Sequence, residues 1–367
     1  MTKDIFIVGG ARPNFMKIAP LIKEFKRQNI KFKLIHTGQH YDYNMSKIFF
    51  DNLGIVKPDY FLNVGSGSHA VQTAKIMVEF EKILIKESPK LIIVVGDVNS
   101  TIACALVTKK LFTELAHIEA GLRSFDVKMP EEINRRLTDQ IADYLFVTEE
   151  SGVINLKNEG IDSSRIFFVG NMMIDTLISN LEKARKTNYY KTLDLIRSSY
   201  GLVTIHRPSN VDNREDLEKI IEKLNFIQSK IKIVFPIHPR TRKSMIKFKL
   251  DNELNKNNII LTEPLGYLDF LNLMINSKLI ITDSGGIQEE ASYLKIPTLT
   301  LRENTERPIT VEKGTNTLIG NDFNKLKMNL EKILLNSYKK GQSLEKWDGN
   351  TSQRIVAIII KKVLKNF

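Results

Sequence analysis

Leu91–Arg123, LIIVVGDVNSTIACALVTKKLFTELAHIEAGLR, is the stretch that decides the fold. An aliphatic run, Leu91–Val95, ends in Gly96-Asp97. Thr101–Leu111 then has helical apolar spacing, and a second apolar run, Ala116–Glu119, leads into Ala120-Gly121. Runs without polar alternation predict strands covered on both faces, the condition of a parallel sheet between helices. Outward from this unit the same alternation continues. Strands are predicted at Asp4–Val8, Phe32–His36, Tyr144–Val147 and Ile166–Val169, and helices at Asn14–Gln28, His69–Glu87 and Pro130–Ala142. After a Lys-rich stretch, Lys183–Thr192, a second series follows: Leu202–Ile205, Ile231–Phe235, Asn258–Leu261, Leu279–Thr282, Thr298–Leu301 and Asn316–Ile319. The reading is an α/β chain of two Rossmann-like, doubly wound domains, residues 1–171 and 172–350. Thr351–Phe367 is apolar at helical spacing and must pack on something.

Composition narrows the class. The 367 residues suit two domains, and 42% hydrophobic residues suit a globular protein. Cys104 is the single cysteine, which excludes an internal disulfide framework and a cysteine-rich zinc site. No apolar run approaches the roughly 18 residues needed to cross a bilayer. MTKDIFIVGG reads as a strand entering a glycine turn, too short in its apolar run for a signal peptide, so a cytoplasmic enzyme is expected. Against 42 Asp+Glu stand 54 Lys+Arg, a formal net charge of +12. Most of that surplus is scattered lysine without interleaved aromatics, a solvated surface and not a nucleic-acid footprint.

In open parallel sheets ligands bind beyond the carboxyl ends of the strands. Gly9-Gly10-Ala11-Arg12-Pro13-Asn14, with Lys17 one turn on, follows the first strand and suits a phosphate. His36-Thr37-Gly38-Gln39-His40 reads as a polar cleft loop; a strand end and a glycine separate its histidines, so no metal site is expected. Gly65-Ser66-Gly67-Ser68-His69-Ala70 resembles a dinucleotide fingerprint, but Asp59–Val64 is a poor strand and nicotinamide binding is not expected. Asp97 and Glu119 stand at two strand ends, and Glu131 opens a helix four residues before Arg135, on the same helix face. Clustered carboxylates raise one another's pKa, which is one route to proton-transfer groups near neutrality. In the second half His206-Arg207 and His238-Pro239-Arg240 follow strands. Asp283-Ser284-Gly285-Gly286 turns a strand into a helix, with Glu290 farther along it: a diphosphate cradle with a group for ribose hydroxyls. The absence of a Walker-type Gly-Lys-Ser/Thr argues against ATP hydrolysis.

Taken in order, GARPNFMK (10–17), TGQH (37–40), GDVNST (96–101), HIEAGLRS (117–124), PEEINRRLTD (130–139), GN (170–171), HR (206–207), HPR (238–240), EPLGYLDF (263–270), DSGGIQEEA (283–291) and RENTERP (302–308) resemble the non-hydrolysing UDP-N-acetylglucosamine 2-epimerases. The resemblance implies a GT-B arrangement with the substrate in an interdomain cleft and the 351–367 helix crossing back to the first domain. It implies elimination of UDP from UDP-GlcNAc to 2-acetamidoglucal and re-addition to give UDP-ManNAc, with no metal or redox cofactor. The catalytic groups it implies are Asp97, Glu119, Glu131, Arg135 and His206. For UDP-sugar binding it implies Arg12, Lys17, His238, Phe270 at the uracil, Ser284, Gly285, Gly286, Glu290 at the ribose, and Arg307. It further implies a cytoplasmic homodimer serving surface-polysaccharide precursors, with no nucleic-acid or membrane partner. TGQHYDYNMS and Gly65–Gln72 resemble a subgroup that includes epimerases of modified 2-acetamido sugars, whereas Thr305–Pro308 favours the plain UDP-GlcNAc enzymes. A hydrolysing epimerase would share the fold but differs in its motifs where this chain has GARPNFMK and EAGLRS, and a GT-B glycosyltransferase would share it but would not need three N-domain carboxylates beside an arginine.

Overall fold

The structure, a computed structural model, describes residues 4–39, 53–254 and 257–364. These form two compact units, Met1–Ser179 with Glu345–Phe367, and Asn180–Leu344. The first carries β1 (Ile5–Gly9), β2 (Phe32–His36), β3 (Tyr60–Phe61), β4 (Leu91–Val95), β5 (Glu114–Ala120), β6 (Tyr144–Val147) and β7 (Ile166–Phe168). They lie in the order β3-β2-β1-β4-β5-β6-β7, and every pairing is parallel. The second carries β8 (Tyr200–Thr204), β9 (Lys232–Pro236), β10 (Ile259–Thr262), β11 (Leu279–Thr282), β12 (Thr298–Thr300) and β13 (Asn316–Leu318). Their order is β10-β9-β8-β11-β12-β13, again wholly parallel.

Each sheet therefore reverses its strand order once, between β1 and β4 and between β8 and β11. Right-handed crossovers on either side of a reversal put helices on opposite faces, so the loops there diverge and leave a crevice at the carboxyl ends. Both domains are Rossmann-like and doubly wound. All of β4 is buried, as its unbroken aliphatic run requires. The helix Asn99–Lys110 is buried almost all round, Asn99–Ala105, Val107 and Thr108 included, because it packs against the helix His69–Glu87 as well as the sheet. In the second unit Val203, Phe235, Ile281 and Leu299 form the corresponding core with Leu217, Ile220, Leu224, Leu326 and Leu330 from its helices.

Three local differences from the sequence expectations have clear causes. Tyr60–Phe61 does form a strand, a two-residue edge pairing with β2, too short to show an apolar pattern. The division between units falls inside the helix Met172–Thr187 and not at Asn171, because Asp175 accepts the amides of Thr351 (3.1 Å) and Ser352 (2.8 Å) and Thr176 donates to the Met16 carbonyl. The chain also rejoins the first unit before residue 351: Trp347 Nε1 donates to the Thr148 carbonyl at 3.2 Å and Lys346 Nζ to that of Phe168 at 3.0 Å. The helix Thr351–Ile359 then packs on the helix Arg12–Arg27 through its buried Ile355, Val356 and Ile359. Among the described residues no helix is long and apolar enough to cross a membrane.

Candidate active site

At the reversal point of the first sheet, the β1 turn is drawn tight by Asn14. Its Oδ1 accepts the amides of Gly10 (3.2 Å) and Ala11 (2.9 Å), and its Nδ2 donates to the Val95 carbonyl at 2.9 Å. That ties the turn after β1 to the end of β4. Arg12 is exposed at the first position of its helix, while Lys17, one turn on, points inward and ion-pairs with Glu119. Gln39 Oε1 accepts from the Ser100 amide and hydroxyl, holding the β2 loop to the same corner. His40 and the rest of TGQHYDYNMS lie outside the described residues. Ser68 of the glycine-rich segment caps the helix His69–Glu87 and accepts the Val71 amide at 3.4 Å, a structural task.

Asp97 follows β4 and ion-pairs with Arg135; its backbone carbonyl accepts from Asn134 Nδ2 at 2.9 Å. Glu119 lies one strand over, buried, with φ +73°, where β5 shifts register against β6 between Ile118 and Ala120. A non-glycine residue in the left-handed region costs energy, and such positions gather at functional sites. Asp97 and Glu119 thus each meet a cation. Burial is the reason: a half-buried or buried charge is tolerated where an opposite charge is in contact.

Glu131, at the second position of the helix Pro130–Ile141, is half-buried. The inward face of that helix carries Glu132. Glu132 Oε2 takes Arg135 Nη1 at 2.7 Å and the Ser124 amide at 2.9 Å, which fastens the loop after β5. Sequence reading passed over Glu132, although the spacing of three residues to Arg135 puts the two on one helix face.

At the second reversal point, Asp283 at the end of β11 accepts the amides of His206 (3.0 Å) and Arg207 (2.8 Å) and Asn210 Nδ2 (3.0 Å). This locks the turn after β8, which carries His206. The His206 and His238 rings lie with centroids 5.2 Å apart, and His238 caps the helix Pro239–Phe248, its Nδ1 accepting the Arg240 amide at 3.1 Å. Ser284 stands at the N-cap position of the helix Gly285–Tyr293 without a side-chain capping hydrogen bond, and its own amide donates to Thr282 Oγ1 at 3.0 Å. The cradle therefore offers fewer backbone donors than the sequence suggested. A Cβ at Gly285 would lie 2.5 Å from Arg307 Nη1, so the guanidinium would have to shift. Arg307 Nε pairs with Glu289 at 2.7 Å. Glu306 gathers Arg302 (2.9 Å), Arg207 (3.2 Å) and Arg307 (3.5 Å). Burial raises the Glu306 carboxyl, but Arg307, Arg302 and Arg207 outweigh that and hold it well below the usual carboxylate range.

Glu290, buried one turn into the same helix, accepts the Tyr267 hydroxyl at 2.7 Å, and burial pushes its carboxyl up to about 7. Phe270 is half-buried in the first turn of the helix Tyr267–Asn276. Among the described residues no group of three or more His, Cys, Asp or Glu side chains gathers as a metal would need.

This arrangement puts acid–base side chains with cations at one sheet's carboxyl end, and a histidine pair, buried arginines and a glycine-led helix start at the other's. A family model described as UDP-N-acetylglucosamine 2-epimerase matches residues 23–360. The chain belongs to the UDP-N-acetylglucosamine 2-epimerase family. As a member it is an enzyme, an isomerase. It is similar to the UDP-N-acetylglucosamine 2-epimerase of Methanocaldococcus jannaschii, 47% identical over 359 residues spanning 96% of this chain and 98% of that protein. The crystal structure of the Methanocaldococcus jannaschii UDP-GlcNAc 2-epimerase in complex with UDP-GlcNAc and UDP matches with a TM-score of 0.91 at 45% identity, over 98% of this chain and 99% of that one. Another relative, UDP-2,3-diacetamido-2,3-dideoxy-D-glucuronate 2-epimerase of Pseudomonas aeruginosa, is 41% identical over 320 residues, covering 86% of this chain and 88% of that protein. What sequence reading missed in this epimerase are the buried partners Glu132, Asp283, Glu289 and Glu306. All four stand inside the quoted motifs, and charged residues that close to site residues were the available signal.

Proposed function

We propose that this epimerase interconverts UDP-GlcNAc and UDP-ManNAc without hydrolysis. A carboxylate takes the C2 proton, the C–H electrons form the C1–C2 double bond, and the C1–O bond breaks to release UDP as the anion. Protonation of 2-acetamidoglucal at C2 from the opposite face, with return of the UDP oxygen to C1, gives the epimer. Asp97, Glu119 and Glu131 serve as the acid–base groups, with Arg135 and His206 at the reacting atoms. Arg12, Lys17, His238, Arg307 and the Ser284-Gly285-Gly286 turn stabilise the diphosphate as charge develops on it. Glu290 holds the ribose and Phe270 the uracil. The observation that carries this reading is the position of Asp97 and Glu119 at the carboxyl ends of adjacent parallel strands, each paired with a cation. Proton transfer on both faces of C2 needs more than one such group. The reading places the enzyme in the cytoplasm as a homodimer that feeds surface-polysaccharide synthesis.

Incubation with UDP-GlcNAc in D2O is expected to give UDP-ManNAc with deuterium at C2 of both sugars. Free ManNAc as main product would mean hydrolysis, and no exchange at C2 would refute the epimerase chemistry. A second substrate reading has its own support, the 41% identity to the diacetamido-glucuronate enzyme. It predicts a higher kcat/KM for the 3-acetamido uronate nucleotide than for UDP-GlcNAc, with the same C2 exchange.

A further inference from the structure

Beneath the two strand-end carboxylates lies a buried polar network that the reaction above does not use. His117, on β5 two residues before Glu119, and Asp139, on the helix Pro130–Ile141, are wholly buried. His117 Nδ1 lies 2.7 Å from Asp139 Oδ1, and its Nε2 lies 2.8 Å from the Gly96 carbonyl oxygen. The other Asp139 oxygen accepts the Gly121 amide at 3.1 Å and pairs with Arg123 Nη1 at 2.8 Å. Arg123 in turn forks onto Glu159, Nε and Nη2 donating at 2.8 and 2.7 Å. Burial pushes the Asp139 carboxyl up, but His117 and Arg123 outweigh it and hold it below its ordinary value. Apolar side chains of similar size often stabilise such an interior as well or better, so stability alone does not account for the network.

What the network touches is informative. Gly96 immediately precedes Asp97, and Gly121 is two residues beyond Glu119. Gly96 has φ +72°, which glycine adopts freely, whereas Glu119 at φ +73° holds a side chain in the left-handed region. Strained backbone of this kind persists only where its surroundings over-determine it. The Gly96 amide donates to the Ile118 carbonyl at 3.0 Å, so the two turns are also tied to one another. We propose that His117 and Asp139 are positioning residues. They clamp the Gly96 carbonyl and the Gly121 amide, and thereby fix the turn that aims Asp97 and the bulge that aims Glu119. The proposal rests on the reading of Asp97 and Glu119 as catalytic groups.

Its test is kinetics of Asp139→Asn, His117→Leu and His117→Gln, with UDP titration and thermal melting of each variant. A misplacement near 1 Å costs about 100-fold in rate. Asp139→Asn and His117→Leu are expected to lose about that much kcat, with KM and UDP affinity within about threefold of wild type and a cooperative melt. His117→Gln keeps an amide that can donate to the Gly96 carbonyl, and is expected to retain at least about tenfold more kcat than His117→Leu. Three results would overturn the proposal: Asp139→Asn within threefold of wild-type kcat, His117→Gln no better than His117→Leu, or activity losses matching the unfolded fraction. Failure of the underlying reading looks different, because the wild type itself would then show no C2 exchange.

Discussion

The three carboxylates at the first sheet differ in their surroundings in ways a residue list does not convey. Glu119 is buried against Lys17 in a strained bulge, Asp97 is partly open beside Arg135, and Glu131 is half-buried at a helix start. Asp97→Asn, Glu119→Gln and Glu131→Gln are each expected to lower turnover about 10²- to 10⁴-fold, the usual worth of a positioned acid or base, while UDP still binds. Near-normal turnover in all three would remove them from the mechanism. Glu290 carries a pH signature of its own. Its carboxyl is raised from 4.5 to about 7 in the fold, chiefly by burial, so the native chain keeps a proton that the unfolded chain releases above about 4.5. From Glu290, stability is therefore expected to fall as pH rises from about 4.5 to 7 and to level off beyond. Glu290→Gln should flatten that part of the profile and be the more stable protein at pH 8, converging with wild type near pH 4.5; parallel denaturant curves across pH would contradict it. The position of Glu290 after a glycine turn was legible in the sequence. Its contact with Tyr267, 23 residues away, was not.

Secondary-structure elements were the most legible level, because their signals are local. The apolar runs at Leu91–Val95 and Leu279–Thr282 are strands over those same residues, and His69–Glu87 is a helix over its predicted span. Tyr60–Phe61 escaped because an edge strand of two residues, with Phe61 exposed, carries no apolar run. The closing helix shows the complementary case: its apolar stripe announced a buried face, and the fold supplies the helix Arg12–Arg27 to cover it. Ile355 is fully buried there, and Ile355→Ala is expected to cost about 2–5 kcal/mol of first-unit stability. A shift in denaturation midpoint of the first unit, read through Trp347, would measure it. An unchanged midpoint would mean that the helix does not contribute to that core.

For the molecule as a whole, the net charge of +12 proved the least informative number and the strand ends the most. The surplus is mainly surface lysine, whereas four of the buried cations, Lys17, Arg135, Arg302 and Arg307, are ion-paired at the ends of parallel sheets. A ligand that binds only the folded chain raises its stability by mass action. UDP at a hundredfold excess over its dissociation constant is expected to add about 2.7 kcal/mol, in wild type and in Asp97→Asn alike. Loss of that increment in Asp97→Asn would mean that Asp97 binds nucleotide and does not act on the sugar. The sequence by itself determined the two doubly wound domains and the motifs at their strand ends, since periodicity and turn chemistry are properties of neighbours along the chain. Only the tertiary structure decided which cation each carboxylate meets. Lys17 and Glu119 are 102 residues apart, and Asp97 and Arg135 are 38 apart. Helical spacing reaches three or four residues. Pairs at greater separation are set by sheet order and register, which bring the ends of β1, β4 and β5 to one edge.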